Sequence, residues 1–75
     1  MLPAQCRAAR GLLNWTQKDL AAKSGVSAVT IRNFENERST PQPATLTVLK
    51  QTLEVAGIEF IGENGGGPGL RLRLR

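Results

Sequence analysis

Two adjacent polar side chains, Arg32 and Asn33, lie in a stretch whose apolar residues repeat at helical spacing. A guanidinium group offers a planar fork of donors, and a carboxamide offers donors and an acceptor side by side. These patterns complement the edges of nucleic-acid bases, arginine with guanine and asparagine with adenine. Steps of three and four residues bring Ala28 and Val29 to the same helical face. That face would also suit the solvated side of an ordinary amphipathic helix.

The residue types needed for catalysis or metal binding are scarce in this chain. It has no histidine, one cysteine (Cys6) and six acidic residues, which are scattered along the sequence. No nucleophile–base pair and no metal-ligand set can be assembled from them. We therefore expect neither an enzyme nor a protein with a cofactor, and we expect Cys6 to be a small buried residue of the first helix.

The charge balance favours an anionic partner. Ten Lys and Arg residues against six Asp and Glu residues give a net charge of +4. Nucleic acid is the commonest polyanion that basic proteins bind, although charge alone identifies no partner. A length of 75 residues fits one small domain. No membrane-spanning run and no signal-peptide pattern is visible, so we expect a cytoplasmic protein with no membrane partner.

Local signals predict two helices in the first third of the chain. Pro3 fits the first turn of a helix at residues 4–13, because its missing N–H would have no partner there. Thr16 and Asp19 have the spacing of a capping box, which begins a second helix. Gly25 suits the left-handed position that ends that helix.

Two further helices are predicted before the chain changes character. Ser27 is the expected N-cap of a helix at residues 27–36, directly after the short turn that contains Gly25. A polar loop at residues 37–42 follows it. A fourth helix is then predicted from residue 43 or 44 to residue 56, because an apolar stripe runs along it, made of Leu46, Leu49, Leu53 and Ala56.

The tight connection around Gly25 has a geometric consequence. Two short helices joined by a turn of three or four residues form a helix-turn-helix. The second of the two then projects steeply, so its N-terminal half can enter a major groove while the first lies across the DNA backbone. Ala21 provides the small side chain needed where the two helices cross.

The run at residues 16–35, TQKDLAAKSGVSAVTIRNFE, resembles the Xre/lambda-repressor-like helix-turn-helix family of transcriptional regulators. The resemblance extends over about residues 5–58 and includes Pro41, Leu46 and Gly57. It implies base contacts from four residues of the third helix: Ala28, Val29, Arg32 and Asn33. It implies backbone contacts from five residues around that helix: Gln17, Thr30, Asn36, Arg38 and Ser39. Arg10 and Glu35 occupy the positions of a partly buried structural ion pair in some phage repressors of the family.

The segment at residues 58–75 has the period of a strand rather than of a helix. Three leucines alternate with three arginines at residues 70–75. The glycine-rich stretch at residues 62–69 lacks the lysine of a phosphate-binding loop, so we interpret it as a flexible turn. The segment resembles a hairpin-like extension of small bacterial members of the family. We therefore expect a mainly α fold, with a four-helix lambda-repressor-like domain at residues 1–57 and a short C-terminal β-strand or hairpin extension.

We expect this chain to bind a specific double-stranded DNA sequence and to regulate transcription, for example as a repressor. One such domain contacts few base pairs, so a homodimer on a palindromic operator is expected. Packing of the 58–75 segment on the domain or on a second subunit would follow from its apolar residues, which are Ile58, Phe60, Leu70, Leu72 and Leu74. The alternative is an antitoxin-like or antiactivator module whose main partner is a protein, and binding that ignores salt would favour it.

Overall fold

A computed structural model describes residues 1–62 and 67–73 of the chain. Its elements in chain order are α1 (Pro3–Leu13), α2 (Gln17–Ser24), α3 (Ala28–Glu35), α4 (Pro43–Val55), β1 (Ile58–Ile61) and β2 (Gly69–Leu72). The prediction of a mainly α, four-helix domain with a C-terminal hairpin is confirmed. Leu74, which we predicted as an interface residue, lies outside the described residues.

The two helices of the helix-turn-helix begin at side-chain caps. Thr16 Oγ1 accepts a hydrogen bond from the Asp19 N–H at 3.0 Å, and the Asp19 carboxylate accepts one from the Thr16 N–H at 2.9 Å. This is the predicted capping box, and its hydrogen bonds lower the pKa of Asp19. At the start of α3, Ser27 Oγ accepts from the Thr30 N–H at 3.1 Å. Gly25 ends α2 with a φ of 79°, so only three residues separate α2 from α3.

The C-terminal end of α3 is capped by backbone hydrogen bonds around a left-handed residue. Glu37 takes a left-handed conformation with a φ of 59°. Its N–H donates to the Phe34 carbonyl at 3.0 Å, and the Arg38 N–H donates to the Asn33 carbonyl at 2.8 Å. These two bonds form a Schellman motif, in which glycine is the usual left-handed residue. The motif turns the chain sharply into the loop that precedes α4.

The core lies between the four helices and one face of the hairpin. Its buried apolar residues are Cys6, Ala9, Leu20, Ile31, Phe34, Leu49, Leu53 and Ile58. Each helix contributes at least one of them, so the packing of all four helices is interdependent. None of the helices described at residues 1–62 and 67–73 is both long and apolar enough to cross a lipid bilayer.

The hairpin is antiparallel and covers one side of the helical domain. Phe60 pairs with Leu70 and Ile58 pairs with Leu72, and these four side chains share the inner face. β1 packs on α4 and β2 packs on α1, where the Gln5 amide donates to the Gly69 carbonyl at 3.3 Å. Ile58 is only 1% exposed, so its own domain covers it and leaves no surface for a second subunit. Phe60, Leu70 and Leu72 are half-buried against the same core.

Candidate nucleic-acid interface

One face of α3 is buried and the opposite face is open to solvent. Ile31, Phe34 and Glu35 are buried on the inner side. Val29 is 53% exposed and Arg32 is exposed, on the outer side. The open face therefore presents one apolar side chain, Val29, beside one cation, Arg32.

The nine predicted DNA-contacting residues are distributed over α3 and its two flanks. Ala28 and Asn33 are half-buried at the edges of the open face. Asn36 is exposed as the C-cap residue of α3. Arg38 and Ser39 are exposed in the following loop, and their backbone N–H groups both donate to the Asn33 carbonyl. The helix end therefore holds this loop beside the open face.

Two of the predicted backbone-contacting residues have partners within the protein. The Gln17 amide donates to Glu35 Oε1 at 3.1 Å, which ties the start of α2 to the end of α3. Thr30 Oγ1 accepts from the Ser27 hydroxyl at 2.9 Å. Both side chains are half-buried. A carboxamide nitrogen carries two hydrogens, so Gln17 retains a second donor for a phosphate oxygen.

The carboxylate of Glu35 is the centre of a buried polar cluster that joins three helices. Arg10 on α1 donates from Nη2 to Oε1 at 2.6 Å and from Nε to Oε2 at 2.7 Å. The Cys6 thiol donates to Oε2 at 3.2 Å, and Gln17 completes the set on Oε1. Glu35 is 1% exposed and the Arg10 side chain is 18% exposed. We refer to these four residues as the Glu35 cluster.

The cluster keeps its carboxylate ionised despite its burial. Burial alone would raise the pKa of Glu35, but the hydrogen bonds from Arg10, Gln17 and Cys6 outweigh it and lower that pKa. The same carboxylate raises the pKa of Arg10 through its hydrogen bonds. Burial, followed by the hydrogen bond to Glu35, raises the pKa of the Cys6 thiol to about 12. Among the side chains that the structure describes, no buried polar atom lacks a hydrogen-bond partner.

Sequence reasoning missed two members of this arrangement. Cys6 was expected to be buried, but its hydrogen bond to Glu35 joins positions 29 residues apart, which local spacing does not reveal. Arg7 was not singled out, yet its guanidinium Nη1 donates to the backbone carbonyl of Glu35. The available signal was that Arg7 and Arg10 are three residues apart and share one face of α1.

Chemistry other than binding finds little support in the same region. Across residues 1–62 and 67–73, no three His, Cys, Asp or Glu side chains lie together in a group that would hold a metal ion. The one described cysteine is fully buried, and its raised pKa keeps it as a neutral thiol at neutral pH. What the region offers is an open helix face that carries Arg32, backed by the Glu35 cluster and the core.

Comparison with known families agrees with this geometry. Among proteins with curated descriptions, none matches the sequence. A family model described as helix-turn-helix matches residues 7–60, from the middle of α1 into β1. The match covers more than half of the chain and confirms the resemblance drawn from residues 16–35. The chain belongs to the Xre/lambda-repressor-like helix-turn-helix family of DNA-binding regulators.

Proposed function

We propose that this protein reads a specific double-stranded DNA sequence with α3 in the major groove and thereby regulates transcription. The observation that carries the proposal is the open face of α3, on which Val29 is 53% exposed and Arg32 is exposed. The Glu35 cluster holds the opposite face. A reading helix needs this combination, because its base-contacting side chains must be exposed while the helix itself is fixed in direction.

The base contacts follow from the side chains of the open face. Arg32 would pair with the O6 and N7 atoms of a guanine, and Asn33 with the N6 and N7 atoms of an adenine. Val29 and Ala28 would contact a thymine methyl group. Each well-formed bidentate pair discriminates against the wrong base by about 1–3 kcal/mol.

The backbone contacts would come from residues that surround the open face. Gln17 and Thr30 retain donors beyond their internal hydrogen bonds, and Asn36, Arg38 and Ser39 are exposed. Such contacts set the register of the helix on the duplex without reading its sequence. They also make the affinity depend on salt, because each neutralised phosphate releases counterions.

The test is selection from a pool of random duplexes, followed by salt titrations of the selected site. We expect Arg32→Ala and Asn33→Ala each to relax the preference at one defined base position. Asn33→Ala should also keep the salt slope of the wild type, because it removes no charge. Arg38→Ala is the matched backbone variant, and it should weaken all sequences equally while reducing the slope by about one. Failure of the wild type to select any sequence would refute sequence-specific reading. Tight, salt-insensitive association with a protein would instead favour the protein-interaction module.

We further propose that the protein acts as a homodimer on a palindromic site, with the hairpin contributing to the interface. Ile61 is 40% exposed on the outer face of β1, next to the half-buried inner face of the hairpin. A two-stranded hairpin leaves strand edges on which a second copy can pair.

Sedimentation equilibrium of two lysine variants tests this arrangement. Ile61→Lys should raise the dimer dissociation constant, because it would place a charge in the interface. Val55→Lys is the control on α4, where the valine is 83% exposed, and it should leave that constant unchanged. A higher dissociation constant for Val55→Lys, with that of Ile61→Lys unchanged, would indicate an interface on α4 and not on the hairpin.

A further inference from the structure

Arg7 is a cation whose charge the described part of the protein does not neutralise. Its neighbour on the same face of α1, Arg10, uses all three of its nitrogens within the domain, two on Glu35 and one on the Trp15 carbonyl at 3.0 Å. Arg7 makes one hydrogen bond among residues 1–62 and 67–73, from Nη1 to the Glu35 carbonyl, and no ion pair there. A guanidinium has five N–H donors, so four are left.

The one hydrogen bond of Arg7 places its guanidinium at the last residue of α3. Glu35 is the last residue of α3, and Asn36 caps the helix directly after it. Arg7 is exposed, so its remaining donors are accessible to solvent at the C-terminal end of α3. Arg38 and Ser39 lie at the same end, because their N–H groups bond to the Asn33 carbonyl.

A reading helix contacts base edges with its N-terminal residues, and in the homeodomain variant of the helix-turn-helix its C-terminal end contacts the sugar-phosphate backbone. The C-terminal end of α3 would therefore lie beside phosphates. We propose that Arg7, on α1, contacts a DNA phosphate at this point while it holds the end of α3. The inference rests on the proposed binding of DNA by α3, and it adds a residue from outside the helix-turn-helix to the DNA-binding surface.

Two physical features favour a phosphate as the partner of Arg7. A guanidinium fork matches two oxygens of a phosphate and forms strong charge-assisted hydrogen bonds with them. The bond to the Glu35 carbonyl also restricts the side chain before DNA arrives, which reduces the entropy lost on binding. A residue that only capped α3 would use the same carbonyl bond, so the two roles must be separated by experiment.

The first measurement is the salt dependence of binding to random-sequence duplex DNA. Arg7→Gln removes the charge and retains an amide donor near the carbonyl, whereas Arg7→Lys retains the charge. Arg71→Gln is the matched control, since Arg71 is exposed and pairs with Glu59 across the hairpin at 2.5 Å. We expect Arg7→Gln to reduce the slope of log K against log salt by about 0.9, which is about an eightfold loss at 0.1 M relative to 1 M salt.

The variants and the wild type together decide the outcome. Arg7→Lys and Arg71→Gln should keep the wild-type slope, and Arg7→Gln should keep the wild-type base preference. A slope for Arg7→Gln equal to that of Arg71→Gln would refute the phosphate contact, even if the free energy of unfolding falls. A wild type that binds no duplex DNA would overturn the DNA-binding function together with this inference.

A second measurement modifies the DNA and not the protein, so a change in the folding of a variant does not affect its interpretation. Single phosphates along the selected site are replaced in turn by neutral methylphosphonates. At one position the replacement should weaken the wild type and leave Arg7→Gln unaffected, because the contact is already absent in that variant. If every position weakens both proteins by the same factor, Arg7 contacts no phosphate.

Discussion

Removal of Arg10 should destabilise the domain far more than removal of a surface arginine. Arg10→Met keeps the aliphatic stem and deletes the fork that bonds both oxygens of Glu35 at 2.6 and 2.7 Å. Glu35 is 1% exposed, so its charge would then be buried with only Gln17 and Cys6 as donors. Breaking a buried pair from one side costs about 3–5 kcal/mol.

That cost is large on the scale of this domain. A chain of 75 residues has a total stability of roughly 4–11 kcal/mol. Arg10→Met should therefore lower the urea midpoint strongly. Arg71→Met is the matched control, because the Arg71 and Glu59 side chains are 67% and 38% exposed. Its cost should stay within about 0.5 kcal/mol.

The double variant separates the buried charge from lost packing. Glu35→Gln removes the carboxylate charge with little change of shape, so Arg10→Met combined with Glu35→Gln should be more stable than Arg10→Met alone, by about 1–3 kcal/mol. Urea unfolding followed by circular dichroism gives all four free energies of the cycle. A double variant less stable than Arg10→Met alone, or an Arg10→Met cost no larger than that of Arg71→Met, would refute the reasoning.

Three further predictions concern pH, backbone strain and thiol access. The pKa of Glu35 in the folded state lies below its ordinary value of 4.5, so its contribution to the free energy of unfolding should be fully present above about pH 4.5 and should be lost as the pH falls further. Urea unfolding at a series of acidic pH values should show a shallower loss of stability in Glu35→Gln. Glu37 has a φ of 59° in the Schellman motif, so Glu37→Gly should raise the free energy of unfolding by about 0.5–1 kcal/mol, and a lower melting temperature would contradict this explanation. Cys6 is 0% exposed, so at pH 8 an aromatic disulfide reagent should label it at least about a thousandfold more slowly than in urea, and rapid labelling of the folded protein would show that the core opens locally.

The parts of the fold that depend on neighbouring residues could be predicted from the sequence. The caps at Thr16 and Ser27 and the left-handed Gly25 act over three or four residues, so their chemistry is visible in the order of the residues. The three-residue turn follows from them, and so does the direction of α3. The family match then supports the general DNA-binding role.

The parts that depend on contacts between distant elements could not be predicted in this way. Gln17 was expected at a phosphate, and only the folded chain shows that it also bonds to Glu35, 18 residues away. The alternation of Leu70 and Leu72 indicates that one face of a strand is covered, but it does not say by what. The structure places that face on the core of the same chain, against α1. Periodicity specifies a buried side, and tertiary packing specifies its neighbour.

One side of α3 packs on the protein and the other is open to solvent, and this division has a consequence for how new binding specificities arise. The Glu35 cluster and the core secure the helix from one side, while Val29 and Arg32 contribute little to that support. Under the proposed function, exchanges at these two positions would alter the preferred DNA sequence at little cost in folding stability, since exposed substitutions usually change it by less than about 0.5 kcal/mol. A duplicated gene could therefore acquire a new target through surface changes alone. The exposed face of α3 can in this sense be varied while the core and the Glu35 cluster stay the same, which makes the domain a suitable scaffold for libraries of altered DNA-binding proteins.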